Sequence, residues 1–319
     1  MKVRAFLGGL CLLLATGIAS AQPYPHKPVR FIVGFAAGSS IEVLSRIVLD
    51  DIAKRTGAVF VIEPRPGALG IIGMEAVAKA APDGYTLMPS SSATHSSAPQ
   101  LTKLPTPDPV KAFTHLAAVD RFDLMLVVNA NSGIRTVEEL VAEAKKKKNL
   151  NYGYGSATGQ VGASAFAHAA GIDDVVTGVG YKSQPLAVTD LVGGHVQFAT
   201  SDLPSISELV RSGKLNALAV TGDKRSSLFP DVPTLTERGI KAELIGWVGF
   251  AGPAGLPEEV RSWWVKNLTV SLNTPAIQEQ LKIRGVEPFQ LSGPALEKFV
   301  ADQYQAWGRH IREAGIKLE

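Results

Sequence analysis

The stretch that decides the fold runs from Val29 to Arg55, "VRFIVGFAAGSSIEVLSRIVLDDIAKR". It opens on a short apolar run, Val29–Phe35, of the length and character of a buried strand. A loop of small residues follows, Ala36–Ser40. From Ile41 the apolar positions fall at helical spacing, with Leu44, Ile47, Val48 and Ile52 on one face. Gly57 closes this helix near Thr56 by taking the left-handed conformation that a C-terminal cap needs. Strand, polar loop, helix is the opening of a βαβ unit, and the pattern repeats. Val59–Ile62 reads as the next strand, Pro64–Gly67 as a break, Gly73–Ala80 as a helix and Tyr85–Met88 as a strand. Strands alternating with helices at this spacing predict an α/β protein with mostly parallel sheets.

A second set begins near residue 122. Asp123–Val128 reads as a strand. Thr136 starts a helix, with Glu139 three residues on to complete a capping box. Further strands are expected at Leu150–Tyr154, Val175–Val179, Val196–Thr200 and Leu215–Val220, with helices from about Val161, over Pro185–Val192 and around Ile206–Arg211. Leu244–Phe250 is apolar again. The tail reads as wholly helical: Pro257–Leu272, Pro275–Arg284 and Pro294–Ala314. Such a tail has to pack on something, and the sheet of the first set is the expected base. The chain then crosses between two lobes near residues 122 and 247. Two crossings make a hinge with a cleft between the lobes. The expected organisation is a leader at 1–21, lobe 1 from 22–122 plus 247–319, and lobe 2 from 123–246.

The first 21 residues, "MKVRAFLGGLCLLLATGIASA", carry Lys2 and Arg4, an apolar run from Ala5 to Ile18, and a small-residue cleavage site, Ala19-Ser20-Ala21. That is a secretory signal peptide, and the expected location is the periplasm. Cys11, the only cysteine, leaves with it, so a mature chain of 298 of the 319 residues has no thiol chemistry. The full chain carries +3, two of those charges in the leader. A near-neutral protein argues against a nucleic-acid partner. The run Lys145–Lys148 ends a helix, where cations suit the dipole, and reads as a solvated helix end.

Catalytic motifs fail one by one. A nucleophile elbow needs Gly-x-Ser-x-Gly: Ser156 follows Gly155 directly, and Ser164 in Gly162-Ala-Ser-Ala-Phe166 lacks the second glycine. Gly153–Gly159 is one residue too long for a dinucleotide fingerprint. None of the six histidines (His26, His95, His115, His168, His195, His310) has a second His or Cys at metal-ligand spacing. No enzyme, cofactor or metal is expected. Binding fits better, because loops at the C-terminal ends of strands carry ligands in open α/β sheets, and helix N-termini offer free N–H groups to anions. Three such loops are small and polar: Ala36–Ser40, Ser90–Ser97 and Gly155–Gln160. None contains Lys or Arg.

Four segments, Tyr24–Val48, Val61–Leu87, Val188–Gly194 and Gly213–Gly239, resemble the Bug/TctC proteins, solute-binding components of tripartite tricarboxylate transporters. The similarity runs in order along the mature chain. It implies a two-lobed periplasmic-binding-protein fold that closes on a small organic acid and hands it to a membrane permease, acting as a monomer. A sensory protein that presents its carboxylate to a membrane kinase is the alternative. The resemblance implies a carboxylate gripped between Phe35–Ser40 (through Phe35, Gly38, Ser39 and Ser40) and Gly155–Gln160 (through Gly155, Ser156, Ala157, Thr158 and Gly159). Ser91, Ser92 and Thr94 join from the middle loop. His95 reads as a carboxylate donor or as a structural hydrogen bond, Tyr181 as a pocket wall or core tyrosine. Asp202 reads as the partner of a ligand amine or hydroxyl, or as a helix cap. Several family motifs are altered: Phe35-Ala-Ala-Gly-Ser-Ser40 stands where Phe-Pro-Pro-Gly-Gly-Ser/Thr is usual, and Ser201-Asp-Leu-Pro204 where Asp-Asn-Leu-Pro is usual.

Overall fold

The computed structural model describes residues 23–316 and 318. The leader and Cys11 lie outside the described residues. The chain begins β1 (Val29–Val33), α1 (Ser40–Thr56), β2 (Phe60–Pro64), α2 (Ile71–Ala78), β3 (Thr86–Ser91), and a short π-helix, Ser92–Ser97. The first helix forms as its sequence dictates. Ser39 caps its N-terminus, and Gly57 closes it at φ 74°. β1 pairs in parallel with both β2 and β3.

The strand that joins the lobes is β4, Phe113–Asn129, 17 residues long. Its first part, Phe113–Asp123, lies antiparallel to β9 (Ile245–Pro253). β10 (Glu287–Ser292) covers its other edge. From Leu124 it changes partners on both sides, to β7 (Phe198–Asp202) and β8 (Leu215–Val220). Beyond the exchange lie α3 (Val137–Lys147), β5 (Leu150–Tyr154), α4 (Ala157–Ala169), β6 (Val176–Gly180), α5 (Gln184–Val192) and α6 (Leu203–Arg211). The strand order is β2-β1-β3-β9-β4-β7-β5-β6, with β8 and β10 also on β4. The βαβ strands of each lobe pair in parallel, as the alternation predicts. The sheet as a whole is mixed, because every pair made by the crossing strands β4 and β9 is antiparallel.

Each lobe has its own core. In the first, Phe31, Val33, Leu49, Ile52 and Phe250 pack with Trp264 of α7 (Glu258–Leu272). In the second, β4 sends alternate side chains to opposite faces, as a pleated strand must. Leu124, Leu126 and Val128 join Val161 and Phe166 on one side; Met125 and Val127 join Ile206 and Val220 on the other. The tail contains α8 (Pro275–Lys282) and α9 (Gly293–Glu313), but it is not wholly helical: β10 lies between them. α9 also does not stay with the first lobe. Leu296 and Val300 pack on Trp247, whereas Trp307 and Ile311 join the cluster of Val161 and Phe166.

Candidate ligand-binding site

A cavity of about 660 Å³ opens between the lobes. It is walled by the chain leaving β1 (Gly34–Ala36, Ser39–Ile41), by Pro66–Gly70, and by Ser91–Ala93. The other lobe contributes Gly155, Ser156, Thr158, Tyr181–Leu186, Asp202 and Ser205, with Phe122 at the crossing. A smaller compartment of about 330 Å³ adjoins it. The two share Ser40, Ile41, Phe122, Pro185, Asp202 and Ser205 as a common wall.

The arrangement follows from the topology. Strands that pair in parallel put their C-terminal ends on one side, and each is followed by a helix whose N-terminus returns to that side. Here α1, the π-helix, α4, α5 and α6 all present N-terminal residues to the cavity. An α-helix N-terminus carries roughly half a positive elementary charge and N–H groups without intrahelical partners. Several converging on one space make a field that suits an anion with few cationic side chains. Lys182 is the one Lys or Arg among the described residues lining the larger compartment.

The glycine-rich stretch is more helical than its composition suggests, since α4 starts at Ala157 rather than near Val161. Ser156 is its N-cap, accepting from the Gly159 N–H at 3.1 Å, and its hydroxyl lies 3.1 Å from the Thr158 hydroxyl. Gly155 is required by close packing. Its N–H donates to Gln184 Oε1 at 3.0 Å, and a Cβ there would stand 2.1 Å from the Ser183 carbonyl carbon. The residues that line the cavity are thus Gly155, Ser156 and Thr158; Ala157 and Gly159 are buried behind them.

In the other lobe, Phe35, Ser39 and Ser40 line the cavity, and Gly38 lines the smaller compartment. Ser91 and Ser92 also line it. Ser91 caps the π-helix by accepting from the Thr94 N–H at 3.3 Å, and Ser92 Oγ accepts from the Trp247 N–H at 3.3 Å. The expectation of a loop there is corrected: the serine-rich segment is a helix whose hydroxyls satisfy its own backbone. Thr94 and His95 lie behind the wall. His95 is fully buried, its Nδ1 2.9 Å from the Thr94 hydroxyl and its ring against Phe113, His115 and Trp247. Burial holds its pKa well below the usual imidazole range, with the neighbouring His115 adding to the effect. Trp247 is fully buried, its Nε1 donating to Ser96 Oγ at 3.2 Å.

Tyr181 is a wall residue. Its hydroxyl donates to Asp190 Oδ2 at 2.7 Å, and burial together with that carboxylate pushes its pKa up to about 12. Asp202 faces both compartments. Its carboxylate accepts from the Ser205 hydroxyl at 2.9 Å on each oxygen, and Ser40 reaches it from across the cleft. Burial raises its pKa, and the two serine hydroxyls oppose that rise.

Sequence reasoning missed the Pro66–Gly70 wall and the run Lys182–Leu186. The first carried a signal in its glycines: Gly67 and Gly70 both have positive φ. Between them Ala68 and Leu69 sit at φ 46° and 56°, a conformation that costs side-chain-bearing residues energy and collects at ligand sites. No group of three or more His, Cys, Asp or Glu among the described residues could hold a metal ion. No described helix is long and apolar enough to cross a membrane.

Residues 44–316 match the family profile described as tripartite tricarboxylate transporter family receptor, TctC. The chain belongs to the TctC family. BugT of Bordetella pertussis is 30% identical over the full length of both chains. Among solved structures, R. palustris Rpa4515 with adipate superposes with a TM-score of 0.88 at 26% identity, covering 93% of this chain and all of that one. The periplasmic binding protein BugD gives 0.86 at 29% identity, covering 93% and 100%. The family is one of periplasmic binding proteins, and the two-lobed α/β architecture is theirs.

Proposed function

We propose that this protein is exported by cleavage near Ala21 and captures a small organic carboxylate in the periplasm by closure of its lobes. It then delivers the ligand, as a monomer, to a membrane permease of the tripartite tricarboxylate type. Lobe 1 comprises 22–122 plus 247–319 and lobe 2 comprises 123–246, with α9 bracing both. The observation that carries this reading is the interlobe cavity ringed by helix N-termini and hydroxyl groups. The adipate held by Rpa4515, a relative of the same fold, supports the ligand class.

The site residues divide the work. The first-turn N–H groups of α1 and α4 take the carboxylate, helped by the hydroxyls of Ser39, Ser92 and Thr158. A hydrogen bond to a charged group contributes about 1.5–3 kcal/mol, so a few suffice to hold a small acid. Phe35, Phe122, Tyr181 and Leu186 give its carbon skeleton apolar contact. The site binds and releases without chemistry. Calorimetry of the mature chain with mono-, di- and aromatic carboxylates tests this. One-to-one binding of at least one of them is expected, and binding of none refutes the reading.

A further inference from the structure

The cavity is built for an anion, yet it contains one. Asp202 stands in the wall shared by the two compartments. Its hydroxyl partners are Ser205, which donates to both oxygens at 2.9 Å, and Ser40 from the opposite lobe. Lys182 and Arg284 line the larger and smaller compartments, but no Lys or Arg among the described residues is within ion-pair distance of it. A carboxylate ligand entering such a space meets a like charge at low dielectric, which weakens binding. The repulsion is relieved if the ligand brings its own hydrogen-bond donor, and best relieved if that donor is positive.

Resting on the carboxylate-binding reading above, we propose that the ligand is a carboxylate that also carries a donor group, an ammonium above a hydroxyl, and that Asp202 accepts it. The ligand's carboxylate then sits against the helix N-termini at Ser39–Ser40 and Ser156–Thr158. Its donor points to Asp202, and its carbon chain lies along Phe122 and Leu186. Asp202 selects by charge, since it penalises plain dicarboxylates and rewards zwitterionic ones. Ser40 belongs to the opposite lobe from Asp202, so a donor placed between them also links the lobes.

A matched series isolates the effect: adipate, 2-hydroxyadipate and 2-aminoadipate, titrated by calorimetry into the wild-type protein and into Asp202→Asn. The wild type is expected to bind the amino compound at least tenfold more tightly than adipate, with the hydroxy compound between them. Asp202→Asn keeps an acceptor oxygen for Ser205 but loses the charge, and should reduce the preference to less than threefold. Equal or tighter binding of adipate by the wild type overturns the inference, as does a preference that survives Asp202→Asn. The wild-type comparison decides alone if the variant does not fold. Succinate, adipate and benzoate are run alongside. If these bind and the donor series shows no preference, this inference fails and the carboxylate reading stands; if nothing binds, both fail.

Discussion

Adding one methyl group at Gly155 should damage both stability and binding, whereas the same change at Gly159 should be nearly silent. The Gly155 Cβ would meet three backbone atoms, the Ser183 carbonyl carbon at 2.1 Å, its oxygen at 2.2 Å and the Gln184 nitrogen at 2.3 Å. A peptide group cannot rotate away as a side-chain tip can. To reach ordinary contact near 3.4 Å, the 183–184 peptide has to retreat by about 1.3 Å. Overpacking of this kind costs about 1–3 kcal/mol. The same retreat breaks the hydrogen bond from Gly155 to Gln184, and an orphaned buried N–H costs about 1–3 kcal/mol more. Gly155→Ala should therefore lose about 2–6 kcal/mol, a large part of the stability of an ordinary domain. It should also lose most of its affinity, because Ser183 and Gln184 wall the cavity. Gly159 lies inside α4, where an added Cβ meets nothing nearer than 3.2 Å. The gain in helix propensity, up to about 1 kcal/mol, offsets that tightness. Urea denaturation of both variants, with calorimetry against the best carboxylate ligand, is the assay. A wild-type midpoint for Gly155→Ala, or equal losses at both positions, would refute the reasoning.

Ser156→Ala removes the N-cap of α4 and should cost about 1 kcal/mol with a modest fall in affinity, read by the same two methods. Acidification should destabilise the fold from near pH 6.5 downward. His115 is buried and its pKa is lowered to about 4, so the unfolded chain takes up a proton that the folded state refuses until that pH. The gap of about 2.5 pH units corresponds to a loss of about 3 kcal/mol from His115, and His95 adds in the same direction. Asp202, with its raised pKa, works in the opposite sense. Urea midpoints at pH 7 and pH 5 check this, and His115→Gln should flatten the dependence. Chelation should leave ligand affinity unchanged, because the proposed contacts are backbone N–H groups and hydroxyls. A loss restored by one added divalent ion would contradict that.

Periodicity made the regular elements legible. α1 ends at Thr56 with Gly57 as its cap, and the Thr136–Glu139 capping box forms with both of its hydrogen bonds. β5 and β8 have the bounds that their apolar runs suggest. The misses have physical causes. Only the Asp123–Val128 part of β4 could be read, because the rest of its length buries polar residues, His115 and Asp120, that break the apolar pattern. β10 falls between two stretches read as helices, and its six residues are ordered by antiparallel pairing with β4, a long-range contact that local periodicity does not show. The serine-rich π-helix imitates a loop, since Ser and Thr satisfy its backbone from their own side chains. At the site, the small hydroxyl residues at the strand ends were readable. Pro66–Gly70 and Lys182–Leu186 were not, because only the packing of α2 and α5 brings them to the same cavity. Thr94 and His95 are buried behind the lining residues Ser91–Ala93, which the fold of that segment alone reveals.

The central claim is that a carboxylate is held between the lobes by the N-termini of α1 and α4. The direct measurement is a crystal structure of the mature protein grown with its tightest-binding carboxylate. The account predicts the carboxylate within hydrogen-bond distance of backbone N–H groups at Ser40–Ile41 and Ala157–Thr158, with both lobes in contact with the ligand. A ligand bound to one lobe alone, or seated outside the cavity bounded by Phe35, Ser92, Ser156 and Gln184, would contradict it.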